Sequence, residues 1–275
     1  MREKILKILE TNSTISNKDL AILCNCSKSN IQYYLRVLNI HRDRLTQQRL
    51  NNTNRDNPCV ISNTAEQIIL GSILGDGSIA KNRHPTNTSL TLNSYLEIIQ
   101  GVKQYEYLQY KKELLEKEGI ICYIKKRKPP KKTHYINNKE VIFNGSYELR
   151  TKRNSSFNKY RELFYREKKY INKYIYKLNA LGLAIWYMDD GTRVGKNSSV
   201  SLCTNCFTTK DLKLLQKVLK HNFNLDTSLH KARENQYTIY IRKHSLSRFL
   251  ELVSPHIIES MRYKLVLNSV NLGKS

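Results

Sequence analysis

The sequence predicts an α+β fold made of two similar halves, with a small all-α module in front of them. Two apolar helical segments, 64–77 and 178–191, both close with Asp-Gly. After each of them, strand-like stretches of alternating polarity are interleaved with amphipathic helical stretches. Three short helical patterns occupy the first 40 residues. Helices and strands mixed within each half, in the same order in both, are typical of a repeated α+β unit.

The chain carries a large excess of positive charge. Its 275 residues include 47 Lys and Arg against 23 Asp and Glu, a formal net charge of +24, and 40% of them are hydrophobic. That apolar fraction is enough to bury a core, which excludes a disordered polycation. The apolar stretches are too short to span a bilayer, and the N-terminus lacks the apolar run of a signal peptide. We therefore expect an intracellular globular protein without a membrane partner, which binds a polyanion.

The cysteines do not predict a metal centre or a disulfide framework. Six cysteines are too sparse for such a framework in a chain of this length. Cys203 and Cys206 have the spacing of half a zinc site, but the sequence holds no second pair of that kind. Reduced thiols packed in a core explain them better. The sequence predicts neither zinc nor an organic cofactor.

The first 40 residues predict three short helices, at about 2–10, 17–23 and 28–38. A turn at Asn25 precedes the third helix, whose apolar residues recur at helical spacing from Ile31 to Leu38. This pattern is typical of a helix-turn-helix, which places its last helix in the major groove of DNA. A helical bundle that only docks on the rest of the chain is the alternative. On the first interpretation, the exposed face of the third helix carries Lys28, Asn30, Gln32, Tyr33 and Arg36.

Residues 41–63 are polar, rich in Asn and without apolar spacing, which is typical of a linker. Its arginines either lie along phosphates or are merely solvated. The predicted organisation is a helix-turn-helix module at 1–40, a linker at 41–63, a first repeat at 64–177 and a second repeat at 178–275.

The two apolar helices carry small residues four positions apart. These are Gly71 and Gly75 in the first helix and Ala180 and Ala184 in the second. Such a strip lets the backbones of two helices approach closely, so we expect the two helices to pack against each other.

Each of these helices ends in a carboxylate, Asp76 or Asp190, followed by Gly77 or Gly191. The glycines are predicted to take the left-handed conformation that stops a helix. The helix macrodipole disfavours a carboxylate at this end, and bringing both ends together adds repulsion between like charges. A divalent cation would compensate, and hard oxygen ligands suit Mg²⁺. The alternative is that Asp-Gly only forms an ordinary turn after each helix. The recurrence of Asp-Gly in the same helical context favours a cation site instead.

The segments Ile69–Gly77 and Leu183–Gly191 resemble the two signature helices of LAGLIDADG homing endonucleases, in the single-chain form with two repeats. The resemblance extends from about residue 64 to the C-terminus and leaves the helix-turn-helix outside it. It implies two pseudo-symmetric αββαββα repeats that form a DNA-binding saddle in a monomer.

The predicted elements follow that order in both halves. In the first half, a loop follows Asp76, and the predicted strands are Leu90–Gln100, Ile121–Arg127 and Tyr147–Arg153. The predicted helices of this half are Lys103–Glu118, which Gly119 closes, and Phe157–Tyr176. In the second half, the strands are Ser199–Asn205, Thr227–Ala232 and Tyr237–Lys243, and the helices are Lys210–Phe223 and Ser245–Val253. The first half is longer, mainly around Lys128–Gly145.

The resemblance also implies the residues of the active centres. Asp76 and Asp190 match the catalytic carboxylates that hold the metal, whereas Asp189 stands one position too early. The resemblance further implies that each centre takes a polar residue that orients water and a lysine that polarises water or the phosphate. The matching positions are Gln100 and Asn205 for the polar residues, and Lys169, with Lys168 as competitor, and Lys264 for the lysines.

Alternating strands supply the predicted DNA-binding surface. In Tyr147–Arg153, for example, Glu148, Arg150 and Lys152 share one face, opposite Leu149. Arg and Lys on such a face can contact phosphates or guanine, and a solvated sheet face is the alternative. The predicted contacts outside the helix-turn-helix are Lys81, Arg83, Lys125, Arg127, Arg150, Lys152, Arg193, Lys231, Arg233 and Arg242.

The sequence thus predicts a monomeric, Mg²⁺-dependent endonuclease that hydrolyses double-stranded DNA at a long asymmetric site and leaves 3′ overhangs. Two alternatives remain: a DNA-binding regulator that has lost catalysis, and a maturase that binds intron RNA with the same basic surface. Both aspartates are retained, which counts against the first alternative. The chain has neither the nucleophilic first residue nor the terminal His-Asn of an intein, which favours a free-standing or intron-encoded protein.

Overall fold

The computed structural model describes residues 1–11, 15, 17–41, 58–81, 93–128, 134–136, 139–141, 145–195 and 199–265. The chain divides into two compact units, Met1–Pro58 and Cys59–Ser275. The predicted contact Arg83 and most of the predicted linker lie outside the described residues. In the part of the chain that is described, no helix is both long enough and apolar enough to cross a membrane.

The first unit contains the three predicted helices: α1 (Arg2–Thr11), α2 (Asn17–Leu23) and α3 (Lys28–Val37). The hydroxyl of Ser27 accepts a hydrogen bond from the Asn30 N–H at 3.1 Å, which starts the last helix. The apolar stripes of all three helices meet in a separate small core that includes Ile5, Leu20 and Ile31. This unit therefore has a hydrophobic core of its own.

The second unit contains two repeats of the order helix, two strands, helix, two strands, helix, which confirms the predicted fold class. The helices of the first repeat are α4 (Asn63–Leu74), α5 (Tyr105–Lys117) and α6 (Asn158–Phe164). Its strands are β1 (Gly77–Ala80), β2 (Tyr95–Gly101), β3 (Cys122–Arg127), the inserted hairpin of β4 (His134–Ile136) and β5 (Lys139–Val141), and β6 (Ser146–Thr151).

The second repeat follows the same order without the inserted hairpin. Its helices are α7 (Ala180–Asp190), α8 (Thr209–Phe223) and α9 (Leu246–Val253). Its strands are β7 (Gly191–Val194), β8 (Ser199–Leu202), β9 (Thr227–Arg233) and β10 (Gln236–Ile241). Short 3₁₀ segments lie at Val102–Gln104, Ser155–Phe157, Lys173–Lys177, Lys243–Ser245, Ser254–His256 and Glu259–Lys264.

Each repeat builds one four-stranded antiparallel sheet, and the two sheets have the same topology. The strand order is β1-β2-β6-β3 in the first repeat and β7-β8-β10-β9 in the second. The pairing of Gly77 with Ile98 corresponds to that of Gly191 with Leu202. This common register gives the paired residues of one sheet structural counterparts in the other.

The helices begin and end at residues suited to those positions. The side chains of Ser62 and Asn179 accept hydrogen bonds from N–H groups in the first turns of α4 and α7. Thr208 and Asp211 form a capping box at the start of α8. Gly119, which the sequence predicts to close α5, follows it with a φ of +78°.

The structure departs from the predicted elements at two kinds of place. A strand of four residues starts at the glycine of each Asp-Gly pair, at Gly77 and at Gly191. The sequence predicts a loop after Asp76. The predicted helix Phe157–Tyr176 ends at Phe164, and the chain then runs through non-helical segments to the 3₁₀ segment Lys173–Lys177. Long-range hydrogen bonds explain this, since the Tyr165 hydroxyl accepts from the Ile79 N–H at 3.0 Å.

The two helices that end in Asp-Gly lie at the centre of the second unit. Most of their residues are buried, from Ala65 to Leu74 in α4 and from Gly182 to Asp189 in α7. Both helices belong to one hydrophobic core that also takes the inward residues of the two sheets, such as Ile98 and Ile239. A helix that is apolar all round is expected in such a position.

Candidate functional site

Helices α4 and α7 touch each other along their glycines. A Cβ atom on Gly71 would lie 2.5 Å from the Gly182 carbonyl oxygen, and one on Gly75 would lie 2.4 Å from the Asp189 Cβ. The predicted close approach is therefore present at Gly71 and Gly75. On α7 the atoms nearest to these two glycines belong to Gly182, Ile185 and Asp189, and the close approach at Ala180 and Ala184 stays a prediction.

The predicted left-handed conformation at Gly77 and Gly191 is wrong. Gly191 has a φ of −82° and begins β7 as extended chain, and Gly77 is not among the glycines with positive φ. Space explains both glycines, because a Cβ on Gly77 would lie 2.7 Å from the Ser72 Cβ and one on Gly191 would lie 2.0 Å from a Tyr187 ring carbon. Each helix can therefore turn directly into its first strand.

The carboxylates of Asp76 and Asp190 stand at the ends of these two packed helices, in different surroundings. Asp76 is exposed and Asp190 is half-buried. Burial, together with the negative charges of Asp76 and Asp189, raises the pKa of Asp190 to about 7. The two predicted carboxylates therefore lie close enough for the charge of one to disfavour ionisation of the other.

A lysine is anchored at each helix end. The Lys169 ammonium donates to the carbonyl oxygens of Ile73 (2.8 Å) and Gly77 (3.0 Å). The Lys264 ammonium donates to those of Met188 (2.6 Å) and Asp189 (3.1 Å). Cations at helix C-termini compensate the macrodipole.

Both of these lysines are half-buried near the carboxylates. Burial lowers the pKa of Lys169 and of Lys264, and the nearby aspartates oppose that shift. The predicted competitor Lys168 is exposed. The structure thus brings Lys169, rather than Lys168, to the helix end.

Gln100 joins the two repeats at the first helix end. Its side-chain amide donates to Asp76 Oδ2 at 2.9 Å and to Asp189 Oδ1 at 3.1 Å. The predicted polar residue of the first centre is thereby in direct contact with the predicted metal ligand.

The second centre is built differently. Ile98 and Leu202 are equivalent because they pair with Gly77 and Gly191. Gln100 and Thr204 each lie two residues further on, so Thr204 is the counterpart of Gln100. The Thr204 hydroxyl donates to the Tyr237 carbonyl at 2.7 Å. The predicted residue Asn205 is exposed one position further along. The structure therefore does not give Asn205 the place that Gln100 occupies, because β8 ends at Leu202 and Asn205 lies in the turn that follows.

A buried pair that sequence reasoning missed lies behind Gln100. The Lys111 ammonium contacts both carboxylate oxygens of Asp189, at 2.6 Å and 2.9 Å, with both side chains fully buried. One signal was available, since Lys111 falls at helical spacing between Leu108 and Leu115 on the apolar face of α5.

The helix ends supply only some of the ligands that a hard divalent cation needs. Among the described residues, no group of three or more His, Cys, Asp or Glu side chains is assembled. Two carboxylates, Asp76 and Asp190, remain as oxygen ligands. Mg²⁺ keeps several waters and is often held by one or two carboxylates together with substrate phosphates. The residues present therefore fit such a cation with a phosphate completing the site.

The open face of the first sheet, on the side away from the helices, carries a ladder of charged side chains. Arg150 contacts Glu97 at 2.7 Å and also pairs with Glu148. Glu148, which is buried, is in turn 3.7 Å from Lys125 and 3.6 Å from Arg127. The predicted contacts Lys125, Arg127 and Arg150 thus lie together, with two carboxylates among them.

One row on the open face of the second sheet is uncharged where the matching row of the first sheet carries Glu97 and Arg150. Where the first sheet has Ser78, Glu97, Arg150 and Tyr123 paired across its strands, the second has Thr192, Ser201, Tyr240 and Ser228. The ring of Tyr240 stacks on that of His230, with centroids 4.5 Å apart. The two sheets therefore present different chemistry in the same geometry.

The other predicted contacts of the second unit are exposed at strand ends or edges. Arg193 pairs with Val200 and Lys231 with Tyr237, which are rows of the helix-facing side. They extend the basic surface without joining the ladder around Arg150. The exposed residues of this set are Lys81, Lys152, Arg193, Lys231, Arg233 and Arg242.

A family model described as the LAGLIDADG DNA endonuclease family matches residues 66–249. The chain belongs to this family. The match includes both Asp-Gly helices and both sheets, and confirms the resemblance drawn from Ile69–Gly77 and Leu183–Gly191.

A second family model, described as winged helix-turn-helix DNA-binding, matches residues 1–39. It confirms the helix-turn-helix prediction for the first unit. In that unit the predicted contact residues of α3 are all exposed: Lys28, Asn30, Gln32, Tyr33 and Arg36.

Relatives with this family's repeats include maturases and endonucleases. The chain is 33% identical over 211 residues to a protein named cytochrome b mRNA maturase bI2 from Saccharomyces cerevisiae, covering 72% of this chain and 46% of the relative. It is 29% identical over 219 residues to a probable intron-encoded endonuclease 1 from Wickerhamomyces canadensis, covering 76% and 86%. The chain thus spans about half the length of the yeast maturase.

Among solved structures, the homing endonuclease I-WcaI bound to its DNA recognition sequence is similar, with a TM-score of 0.61 and 24% identity. The similarity covers 82% of this chain and 94% of that one. It supports the same fold for the LAGLIDADG unit.

Proposed function

We propose that this chain is a homing-type endonuclease that hydrolyses both strands of double-stranded DNA at a long asymmetric site, with Mg²⁺ as its cofactor, and leaves 3′ overhangs. The observation that carries the proposal is the pair of carboxylates, Asp76 and Asp190, at the adjacent ends of α4 and α7, with a half-buried lysine anchored at each end. This combination suits the hydrolysis of one phosphodiester in each strand, because each helix end supplies a ligand for a cation and a positive charge.

Each residue at the helix ends has a role in that proposal. Asp76 and Asp190 would hold the divalent cation, which supplies a Lewis acid for the phosphate and lowers the pKa of bound water. Gln100 keeps the Asp76 carboxylate in one orientation through its 2.9 Å hydrogen bond. Lys169 and Lys264 place positive charge where the leaving oxygen gains negative charge. Asn205 stays a predicted polar residue of the second centre, with the role of orienting water.

The open faces of the two sheets and the exposed face of α3 are the proposed DNA surfaces. A formal net charge of +24 favours association with a polyanion, and the solved relative I-WcaI is bound to DNA. Because one chain contains both predicted carboxylates, we propose that a monomer cuts both strands.

Intron RNA is a second candidate partner. The similarity to cytochrome b mRNA maturase bI2 favours it, and the same basic surfaces would bind RNA phosphates. We propose RNA binding as an added role, since both carboxylates are retained.

The proposal is tested by asking whether the purified chain cuts the DNA that it binds. Duplexes selected for binding from a randomised library are incubated with the chain in Mg²⁺, in EDTA, and in EDTA followed by excess Mg²⁺. We expect double-strand cleavage with 3′ overhangs in Mg²⁺, none in EDTA, and recovery on addition of the cation. Tight binding to a defined duplex without cleavage in Mg²⁺ or Mn²⁺ would sink the enzyme proposal and support the regulator.

A further inference from the structure

A fully buried ion pair connects the two repeats next to Asp76. Lys111 belongs to α5 of the first repeat and Asp189 to α7 of the second, and their atoms lie 2.6 Å apart with both side chains at zero exposure. The other ion pairs between described residues all include a partly exposed side chain. Removing two charges from water is costly, so a buried pair is weak evidence of a purely stabilising role.

The pair reaches Asp76 by two hydrogen-bonded routes. Asp189 Oδ2 accepts from the backbone N–H of Asp76 at 3.3 Å. Asp189 Oδ1 accepts from Gln100, and the same Gln100 amide donates to the Asp76 carboxylate. Lys111 holds both Asp189 oxygens, and therefore fixes the group on which the backbone and the side chain of Asp76 depend.

The first centre alone has this arrangement among the described residues. Gly75 stands before Asp76 where Asp189 stands before Asp190, and Thr204 takes the place of Gln100. The spacing of buried residues along α5 and α8 sets Leu215 in the place of Lys111. The second repeat therefore has neither the cation nor the amide with which to hold Asp190 in the same way.

We propose that Lys111 is a positioning residue that, through Asp189 and Gln100, presets the Asp76 centre and not the Asp190 centre, so that the two DNA strands are cut at unequal rates. This inference rests on the proposed endonuclease function. Lys111 touches neither DNA nor the reacting atoms in this scheme; it acts by holding the geometry of a metal ligand.

The test measures the two strands separately. A bound duplex with a different fluorophore on each strand is cleaved under single-turnover conditions at saturating protein and Mg²⁺, and the affinity for DNA is measured in Ca²⁺. The variants are Lys111→Met and, as a matched control, Lys112→Met, whose lysine lies on the surface of the same helix beside Glu116. Gln100→Leu identifies the strand that depends on the Asp76 centre.

Lys111→Met and Gln100→Leu are expected to slow the cleavage of the same strand. For Lys111→Met we expect that cleavage rate to fall by about 100-fold, because a misplacement of about 1 Å costs that much in rate. The other strand should slow by less than about tenfold, and Lys112→Met should leave both rates and their ratio unchanged. Equal slowing of both strands, or no slowing, would overturn the inference, as would a bias toward opposite strands in the Lys111 and Gln100 variants.

A second variant keeps the test valid if Lys111→Met fails to fold. The double variant K111M/D189N removes both charges and leaves none uncompensated. It should show the same strand bias, and a wild-type ratio of strand rates in this variant would also overturn the inference. A wild-type chain that binds the duplex and cuts neither strand would instead overturn the proposed function, and the inference with it.

Discussion

The two central helices end in the same Asp-Gly pair, but the protein holds the two carboxylates differently. Asp76 is exposed, and its carboxylate accepts from Gln100. Asp190 is half-buried, and among the described residues no side chain donates a hydrogen bond to its carboxylate. A protein hydrogen bond holds the Asp76 carboxylate, whereas burial and neighbouring charge make the Asp190 carboxylate hard to ionise. A repeated motif can thus supply two centres that are not equivalent.

Apart from the loss of either carboxylate, the largest effect on this comparison should come from the anchored lysines. Lys169→Met and Lys264→Met each remove a cation beside one centre and leave two helix-end carbonyls without their donor. We expect each change to slow single-turnover cleavage by about 100-fold or more. The exposed Lys168→Met serves as the control and should stay within twofold of wild type, roughly the scatter expected for surface changes. Similar losses in the Lys168 and Lys169 variants would contradict the assignment.

Adding a side chain at Gly75, where the chain packs against Asp189, should have the next largest effect. Gly75→Ala places a Cβ 2.4 Å from the Asp189 Cβ, and we expect the free energy of unfolding in urea to fall by about 3 kcal/mol. Gly101→Ala is the matched control, since a Cβ there meets nothing within 4 Å and its φ of −62° suits alanine. It should change stability by less than about 1 kcal/mol. Equal losses in both variants would show that the helix contact is not the tight point.

The raised pKa of Asp190 predicts that cleavage depends on pH around neutrality. With its pKa at about 7, Asp190 is protonated below that pH and poorly able to hold a cation. At limiting Mg²⁺ the cleavage rate should fall by about tenfold per pH unit below 7. More Mg²⁺ should move the midpoint to lower pH, because the cation competes with the proton. A rate that is flat between pH 5.5 and 7 would contradict this.

The same shift has a consequence for stability, with a definite sign. The pKa of Asp190 is higher in the folded protein than its ordinary value of 3.8. Its contribution to the free energy of unfolding is therefore complete below about pH 4 and is lost as the pH rises through about 7. Without divalent cation, Asp190→Asn should lose this part of the decline in a series of urea titrations.

The smallest effect should come from the first unit. Deleting residues 1–40 removes the exposed basic face of α3, so we expect a weaker affinity by about tenfold and a shallower dependence of log Kd on log salt. The cleavage rate at saturating protein should not change, because the predicted carboxylates lie in the second unit. A folded truncation that binds its site but has lost cleavage would show that this unit takes part in the chemistry.

Local patterns in the sequence predict much of this molecule. Hydrophobic periodicity predicts α3, and the two apolar runs that close with Asp-Gly predict the central helices and the carboxylates at their ends. Alternation predicts a strand at Tyr147–Arg153, which the structure places at Ser146–Thr151. These features depend on residues that are close together in the chain.

The features that the sequence does not predict depend on distant residues or on very short elements. Strands β1 and β7 are only four residues long, too short to show a period. The expected helix after Phe164 is replaced because Tyr165 and Ile171 bond to Ile79 and Asp211. The pair of Lys111 and Asp189 joins positions 78 residues apart, and only its partner explains a lysine on an apolar helix face.

The most direct test of the central claim is the cleavage of a selected duplex by Asp76→Asn and Asp190→Asn, measured alongside binding. Asp226→Asn, which alters a surface carboxylate beside Lys220 and His244, is the control for the same chemical change. The account predicts that each of the first two variants binds the duplex as wild type does and makes no double-strand break, while the control cuts normally. Double-strand cleavage at the wild-type rate by either Asp76→Asn or Asp190→Asn would contradict it.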